Sequence, residues 1–228
     1  MKTNILYETS RLLVKVYARF FLKLDIQWRE QLPEGPKLFI ANHPSATDPF
    51  LIHLLSRMSV LITGNAFTFP IVGVYVKQLG QISVLPGQGK DALEQAIELL
   101  RQGHSVGIFP EGRFSPQEGG MAPARSGAAR LALATGAPVI PVGIYLPRER
   151  CLQITTRIRG KQMVGYWYLR GPYAMTVGTP MQFSGDPENR EHVAYVTETM
   201  MEWLATLASE SENRVRQSLA LRQQEASA

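Results

Sequence analysis

The chain has 228 residues, 45% hydrophobic and 19% charged, enough to bury the core of one enzyme-sized domain. Its single cysteine, Cys151, excludes an internal disulfide and fits a reducing cytoplasm. A formal charge of +5 raises nucleic acid as a partner, but no nucleic-acid motif follows, so none is expected.

In chain order, Ile5 to Leu24 reads as the first helix. Arg11, Lys15, Arg19 and Lys23 recur every fourth residue, and Leu12, Leu13, Val16, Tyr17, Phe20, Phe21 and Leu24 surround them. A basic amphipathic helix of this kind either lies on an anionic bilayer, with its aromatics at the headgroup boundary, or packs on the domain with a solvated basic face. No uncharged apolar run of about 18 residues occurs, so a spanning helix is not expected. No compact apolar stretch with a small-residue cleavage site occurs either, so secretion is not expected.

Leu38 to Ala41 reads as a buried strand and Pro49 to Leu55 as a helix, followed by a strand at Val60 to Thr63. Pro70 to Gln78 reads as a helix stopped by Gly80, Gln81 to Leu85 as a strand, and Asp91 to Gln102 as a helix stopped by Gly103. Ser105 to Ile108 is again strand-like, Ser126 caps a helix through Thr135, and Val139 to Tyr145 returns as a strand. Strand-like pieces follow at Leu152 to Ile158, Tyr166 to Arg170 and Ala174 to Val177, then a helix from Asp186-Pro187 to about Ala208. Alternation at this spacing predicts an α/β fold, a mostly parallel central sheet flanked by helices, with the N-terminal amphipathic helix in front. The expected divisions are a membrane-associating helix in residues 1–30, the main domain in 31–208 and a polar tail in 209–228.

Two polar clusters sit directly after apolar strands. In the first, Asn42-His43-Pro44-Ser45-Ala46-Thr47-Asp48, an imidazole and a carboxylate stand five positions apart where a strand delivers its end, the usual place for chemistry in an open α/β sheet. A carboxylate on one ring nitrogen leaves the other as a proton acceptor. The competing reading is that Asp48, before Pro49, simply caps a helix. The second cluster is Phe109-Pro110-Glu111-Gly112-Arg113-Phe114-Ser115.

Together, in this order and with Ala137-Pro138-Val139-Ile140-Pro141-Val142 downstream, these blocks resemble the glycerolipid acyltransferase family, the lysophosphatidate acyltransferase-like enzymes. The resemblance covers Leu38 to Ile144, and Val177-Gly178-Thr179-Pro180 looks like a late block of the same family. It implies a glycerol-3-phosphate acyltransferase-like fold. It also implies acyl transfer from acyl-CoA or acyl carrier protein to the hydroxyl of lysophosphatidate or a related lysophospholipid, in phospholipid biosynthesis on the cytoplasmic face of the membrane.

In this reading His43 is the base and Asp48 its orienter. No protein nucleophile, metal or cofactor is called for, because a thioester is already activated. Ser45 and Ser115 lack the G-x-S-x-G elbow, Cys151 lies outside both clusters, and His53, Asp91 and His104 show no metal-ligand spacing. Glu111, Gly112, Arg113 and Arg125 are the expected substrate-binding residues: Arg113 is the candidate anion clamp, with Gly112 permitting close backbone approach and Glu111 organising the loop. Arg125 either faces the same anion or is a solvated charge. The basic and aromatic stretch from Arg148 to Arg170 is either a carrier or membrane contact or a pair of exposed edge strands.

The family often carries an arginine near the strand that here reads Ile82-Ser83-Val84-Leu85-Pro86-Gly87-Gln88-Gly89-Lys90, and this chain lacks it. That leaves open another acceptor: glycerol phosphate, a different lysolipid or an acylated amino-acid lipid. A catalytically silent lipid-binding module is the alternative from a different class.

Overall fold

The structure is a computed structural model that describes residues 5–64, 66, 73, 76, 79–158 and 161–227. Helix α1 (Ile5–Phe20) precedes strand β1 (Asp25–Trp28). Strand β2 (Leu38–Ala41) leads into a single helical turn, α2 (Asp48–Leu51), which continues as a 3-10 turn over Ile52–Leu54. Strands β3 (Met58–Thr63) and β4 (Ile82–Val84), helix α3 (Gly89–Arg101), strand β5 (Ser105–Ile108), helix α4 (Gly127–Thr135) and strand β6 (Val139–Tyr145) follow. A separate hairpin, β7 (Leu152–Ile158) and β8 (Lys161–Trp167), precedes β9 (Ala174–Val177) and the long helix α5 (Arg190–Ser227). The expected helix over Pro70 to Gln78 falls largely outside the described residues.

Seven strands form one sheet in the order β1-β9-β6-β2-β5-β3-β4. Five of them, β6, β2, β5, β3 and β4, run parallel to one another, while β9 pairs antiparallel to β6 and carries β1 parallel to itself. The mostly parallel α/β architecture read from the sequence is thus the observed one. Both faces are covered, which is why the central strands β2, β5 and β6 are apolar at nearly every position. Leu38, Ile40, Val106, Ile108 and Val139 pack under α3, α4 and α5. Phe39, Ala41, Val60, Ile140, Val142 and Ile144 face the side closed by α1, the 3-10 turn, Tyr168 and Tyr173. Helix α5 lies close against β6: a Cβ on Gly143 would fall within 2.1 Å of the Leu207 backbone, so only glycine fits there.

Several boundaries differ from the sequence reading for local reasons. The last helix begins at Arg190 and not at Asp186-Pro187, because Asn189 Oδ1 accepts the Glu191 and His192 N–H groups as its cap, while Asp186 Oδ1 takes the Glu188 N–H in the preceding turn. It then runs past Ala208 to Ser227, and its extension is part of the domain. Ser211 and Val215 are buried, and Arg214 bonds Asp25, Thr176 and the Met175 carbonyl. The second hairpin strand spans Lys161–Trp167, where the sequence had suggested Tyr166 to Arg170. Ser126 makes no side-chain cap bond to α4, although Gly136 ends that helix in the left-handed conformation as expected.

Helix α1 packs on the domain and still leaves part of its apolar surface exposed. Tyr7, Ala18 and Leu22 are buried on the domain, and Tyr17 Oη donates to the Leu169 carbonyl at 2.6 Å. Yet Leu12, Leu13, Val16 and Phe20 stay exposed, Leu13 at 66% and Phe20 at 70%. The basic stripe is shorter than the spacing suggested. Arg11 turns inward to the Leu54 carbonyl, and Lys23 lies past the helix end at φ 46°, so Lys15 and Arg19 are its exposed helical cations. Among the described residues no helix is long and apolar enough to cross a membrane.

Candidate active site

The first polar cluster begins where β2 ends. Asn42 is fully buried and its amide extends the β2–β6 ladder: Nδ2 donates to the Ile144 carbonyl at 2.8 Å, and Oδ1 accepts the Ile144 N–H at 2.7 Å. This fixes the backbone that carries His43. The imidazole Nδ1–H then donates to Asp48 Oδ2 at 2.9 Å, and the Ser45 N–H gives the same oxygen a second bond at 2.8 Å. Asp48 is wholly buried and caps no helix. Its carboxylate is aimed at His43 and not at the first turn of α2. With Nδ1 occupied, Nε2 is the ring nitrogen left to accept a proton.

The imidazole is held on its faces as well. It stacks on Phe109 at 4.2 Å between ring centroids, and Phe114 tilts against it at 4.7 Å. Both phenylalanines come from the second polar cluster, at the end of β5, the neighbour of β2. Glu111 joins the clusters. Its carboxylate is 1% exposed and accepts from the His43 N–H at 2.9 Å, the Ser115 hydroxyl at 2.6 Å and the Ala122 N–H at 2.5 Å, while the Ser115 N–H bonds the His43 carbonyl at 2.8 Å. These three donors occupy Glu111 within the protein. The geometry makes it the organiser of the loop and not a group presented to substrate.

Gly112, Arg113 and Arg125 form the open side of that loop. Gly112 adopts φ 61° and lies under the Arg125 side chain, where an added Cβ would sit 2.8 Å from Arg125 Nε. Only glycine satisfies both the left-handed backbone and that contact. Arg113 and Arg125 are exposed, and among the described residues neither has an ion-pair partner. Arg113 follows Gly112 in the chain and the Arg125 side chain lies against that glycine, in the loop whose Phe109, Glu111 and Phe114 contact His43.

The remaining candidates have structural work. Ser45 Oγ donates to the Tyr166 carbonyl and accepts from Tyr168 N–H, tying the first cluster to the hairpin, and Thr47 Oγ1 donates to the Tyr168 carbonyl. The Cys151 thiol is half-buried, and burial pushes it up to about 11, unsuited to attack at neutral pH. His53 is buried beneath α1 and its pKa is lowered to about 4 by burial. Among the described residues no group of three or more His, Cys, Asp or Glu side chains could hold a metal ion. Lys90 is exposed and faces Glu94 at 3.8 Å. Asn42, Phe109, Phe114 and Tyr173, whose hydroxyl donates to Asp48 Oδ1 at 2.8 Å, are site residues to which the sequence reading gave no role.

The fold is thus an α/β domain with a mostly parallel sheet that presents a His–Asp pair at one strand end, beside a glycine-arginine loop from the next strand. The chain belongs to the Acyltransferase family, whose model matches residues 23–145. It is similar to a 1-acyl-sn-glycerol-3-phosphate acyltransferase of the Brassica napus chloroplast, 33% identical over 128 residues, covering 54% of this chain and 37% of that protein. It is also similar to a lyso-ornithine lipid O-acyltransferase of Pseudomonas aeruginosa, 29% identical over 133 residues, covering 56% of this chain and 50% of that one. The chain thus spans about half or less of the length of these relatives. Its fold matches the crystal structure of the 1-acyl-sn-glycerophosphate acyltransferase PlsC from Thermotoga maritima, with a TM-score of 0.63, 22% identity, and coverage of 88% of this chain and 79% of that one.

Proposed function

We propose that the chain transfers a fatty acyl group from the thioester of coenzyme A or an acyl carrier protein to the free hydroxyl of lysophosphatidate or a related lysophospholipid. The observation that carries this reading is the His43–Asp48 bond of 2.9 Å, held at a strand end against the loop that carries Arg113. His43 Nε2 takes the hydroxyl proton as the acceptor oxygen attacks the thioester carbonyl. The carbon–sulfur bond then breaks, and the departing thiolate takes that proton from the imidazolium, giving one ester and one thiol. Arg113 and Arg125, placed around Gly112, supply positive charge for an acceptor phosphate, Arg113 by a bidentate match.

The reading includes peripheral attachment to the cytoplasmic face of an anionic membrane through α1. Its exposed Leu12, Leu13, Val16 and Phe20 support this, with Lys15 and Arg19 beside them at the level of the headgroups. A second reading of the acceptor has its own support. Lys90, where the family often has an arginine, offers a single flexible charge already facing Glu94. That favours an acceptor whose headgroup is not held as a phosphate there, such as an acylated amino-acid lipid.

The test is His43→Ala. Loss of a general base lowers turnover by roughly 100- to 10,000-fold while the circular dichroism spectrum stays that of the parent. A folded His43→Ala protein with near-parent turnover would overturn the mechanism.

A further inference from the structure

Asp48 is a buried carboxylate whose two oxygens are served from different parts of the fold. Oδ2 accepts from His43 Nδ1 and Ser45 N–H, both within the same short loop. Oδ1 accepts from Tyr173 Oη at 2.8 Å, a residue 125 positions away. The loop donors serve only Oδ2; the tyrosine holds Oδ1 from the sheet side.

Tyr173 itself has little freedom. Its side chain is fully buried, and it immediately precedes β9. Its carbonyl accepts the Asp25 N–H at 2.9 Å, and two residues earlier the Gly171 N–H bonds the Phe21 carbonyl at 3.0 Å. Burial, then the Asp48 charge, hold the phenol far above its ordinary value of 10, so the hydroxyl keeps its proton and remains a donor.

We propose that Tyr173 is a positioning residue for the His43–Asp48 pair, holding the second carboxylate oxygen so that the first stays aimed at the imidazole. The inference rests on His43 acting as the base. Tyr173 touches neither substrate nor the moving proton. Its removal lowers the fraction of enzyme with the ring correctly held, and so lowers kcat without altering how either substrate binds.

The test is Tyr173→Phe, which keeps the ring and deletes only the hydroxyl, assayed at a temperature where circular dichroism shows each variant folded. The expected result is a kcat reduced on the order of ten-fold, the rate equivalent of one hydrogen bond to a charged group, with the KM values for thioester and lysolipid unchanged. In an Asp48→Ala background the same substitution should cost less than about two-fold more, because the hydroxyl then has no carboxylate to hold. Ser211→Ala, which removes a buried hydroxyl bonded to the Gly143 carbonyl on the α5 side of the sheet, is the control and should lower melting temperature without changing kcat.

A Tyr173→Phe protein with parent kcat and a lowered melting temperature would overturn the proposal and leave Tyr173 a core residue. So would an undiminished effect in the Asp48→Ala background. His43→Ala in the same assay separates the two claims: activity there defeats the mechanism itself, whereas inactivity there with parent-like Tyr173→Phe defeats only the positioning role.

Discussion

Glu111→Gln distinguishes a loop organiser from a substrate ligand by a change that conserves volume. In the native site Glu111 Oε1 accepts from the His43 N–H and the Ser115 hydroxyl, and Oε2 accepts from the Ala122 N–H. A glutamine has one oxygen and one NH2, so it cannot accept at both ends. If its oxygen faces His43, the NH2 opposes the Ala122 N–H. If it faces Ala122, the NH2 opposes the His43 N–H at 2.9 Å, although the Ser115 hydroxyl can turn to accept. One buried N–H is mismatched either way, and the lost charge-assisted bond costs about 2 kcal/mol. For a chain of this size that corresponds to a fall in melting temperature of roughly 4–8 °C. In either orientation the loop that fixes the His43 backbone is loosened, directly at the His43 N–H or through Ala122, so kcat should fall while the acceptor KM stays close to that of the parent. Differential scanning calorimetry and steady-state kinetics read both quantities. An unchanged melting temperature with a raised acceptor KM would refute this reasoning and return Glu111 to substrate binding.

Two further outcomes follow from the structure. Replacing Lys15, Arg19 and Lys23 with Gln, and leaving Arg11 because it bonds the Leu54 carbonyl, should weaken co-sedimentation with anionic vesicles on the order of 100-fold, at about 1 kcal/mol per cation, most at low salt. Activity on detergent-dispersed substrate should survive, and parent-like sedimentation would refute membrane contact through α1. His53 is neutral in the folded state because burial lowers it to about 4, whereas the unfolded chain protonates near 6.5, so the unfolded state binds more protons between those values. Stability is therefore unaffected by His53 above pH 6.5 and is lost as pH falls toward 4, by about 2 kcal/mol at pH 5. Urea melts of the parent and His53→Gln at pH 7.5 and pH 5 check this, since the variant should lose less stability over that interval.

What the sequence revealed was what is local. His43 and Asp48 lie five positions apart after a four-residue apolar strand, so both the pair and its place at the sheet edge can be read from one short stretch. The Glu111 cluster is legible for the same reason. Strand β1 gave no signal: it is four residues long, mostly exposed, and held by β9 from nearly 150 positions downstream. The Asn42 amide and the Tyr173 hydroxyl act on partners more than 100 residues away, Ile144 and Asp48, and their residue types carry no hint of those partners. The polar stretch after Ala208 looked like a tail because its buried positions, Ser211 and Val215, are few, and the polar groups that fasten it, Arg214 and Ser211, find their partners on β1, β6 and β9, far away in the chain.

Incubating the purified protein with a long-chain acyl thioester and a panel of lysolipids, including lysophosphatidate and a lyso amino-acid lipid, tests the central claim most directly. The expected result is one acylated lipid by mass spectrometry for each thiol released, dependent on a free hydroxyl in the acceptor and lost in His43→Ala. Thiol release with no acylated product from any acceptor, or product formed equally well by His43→Ala, would contradict it.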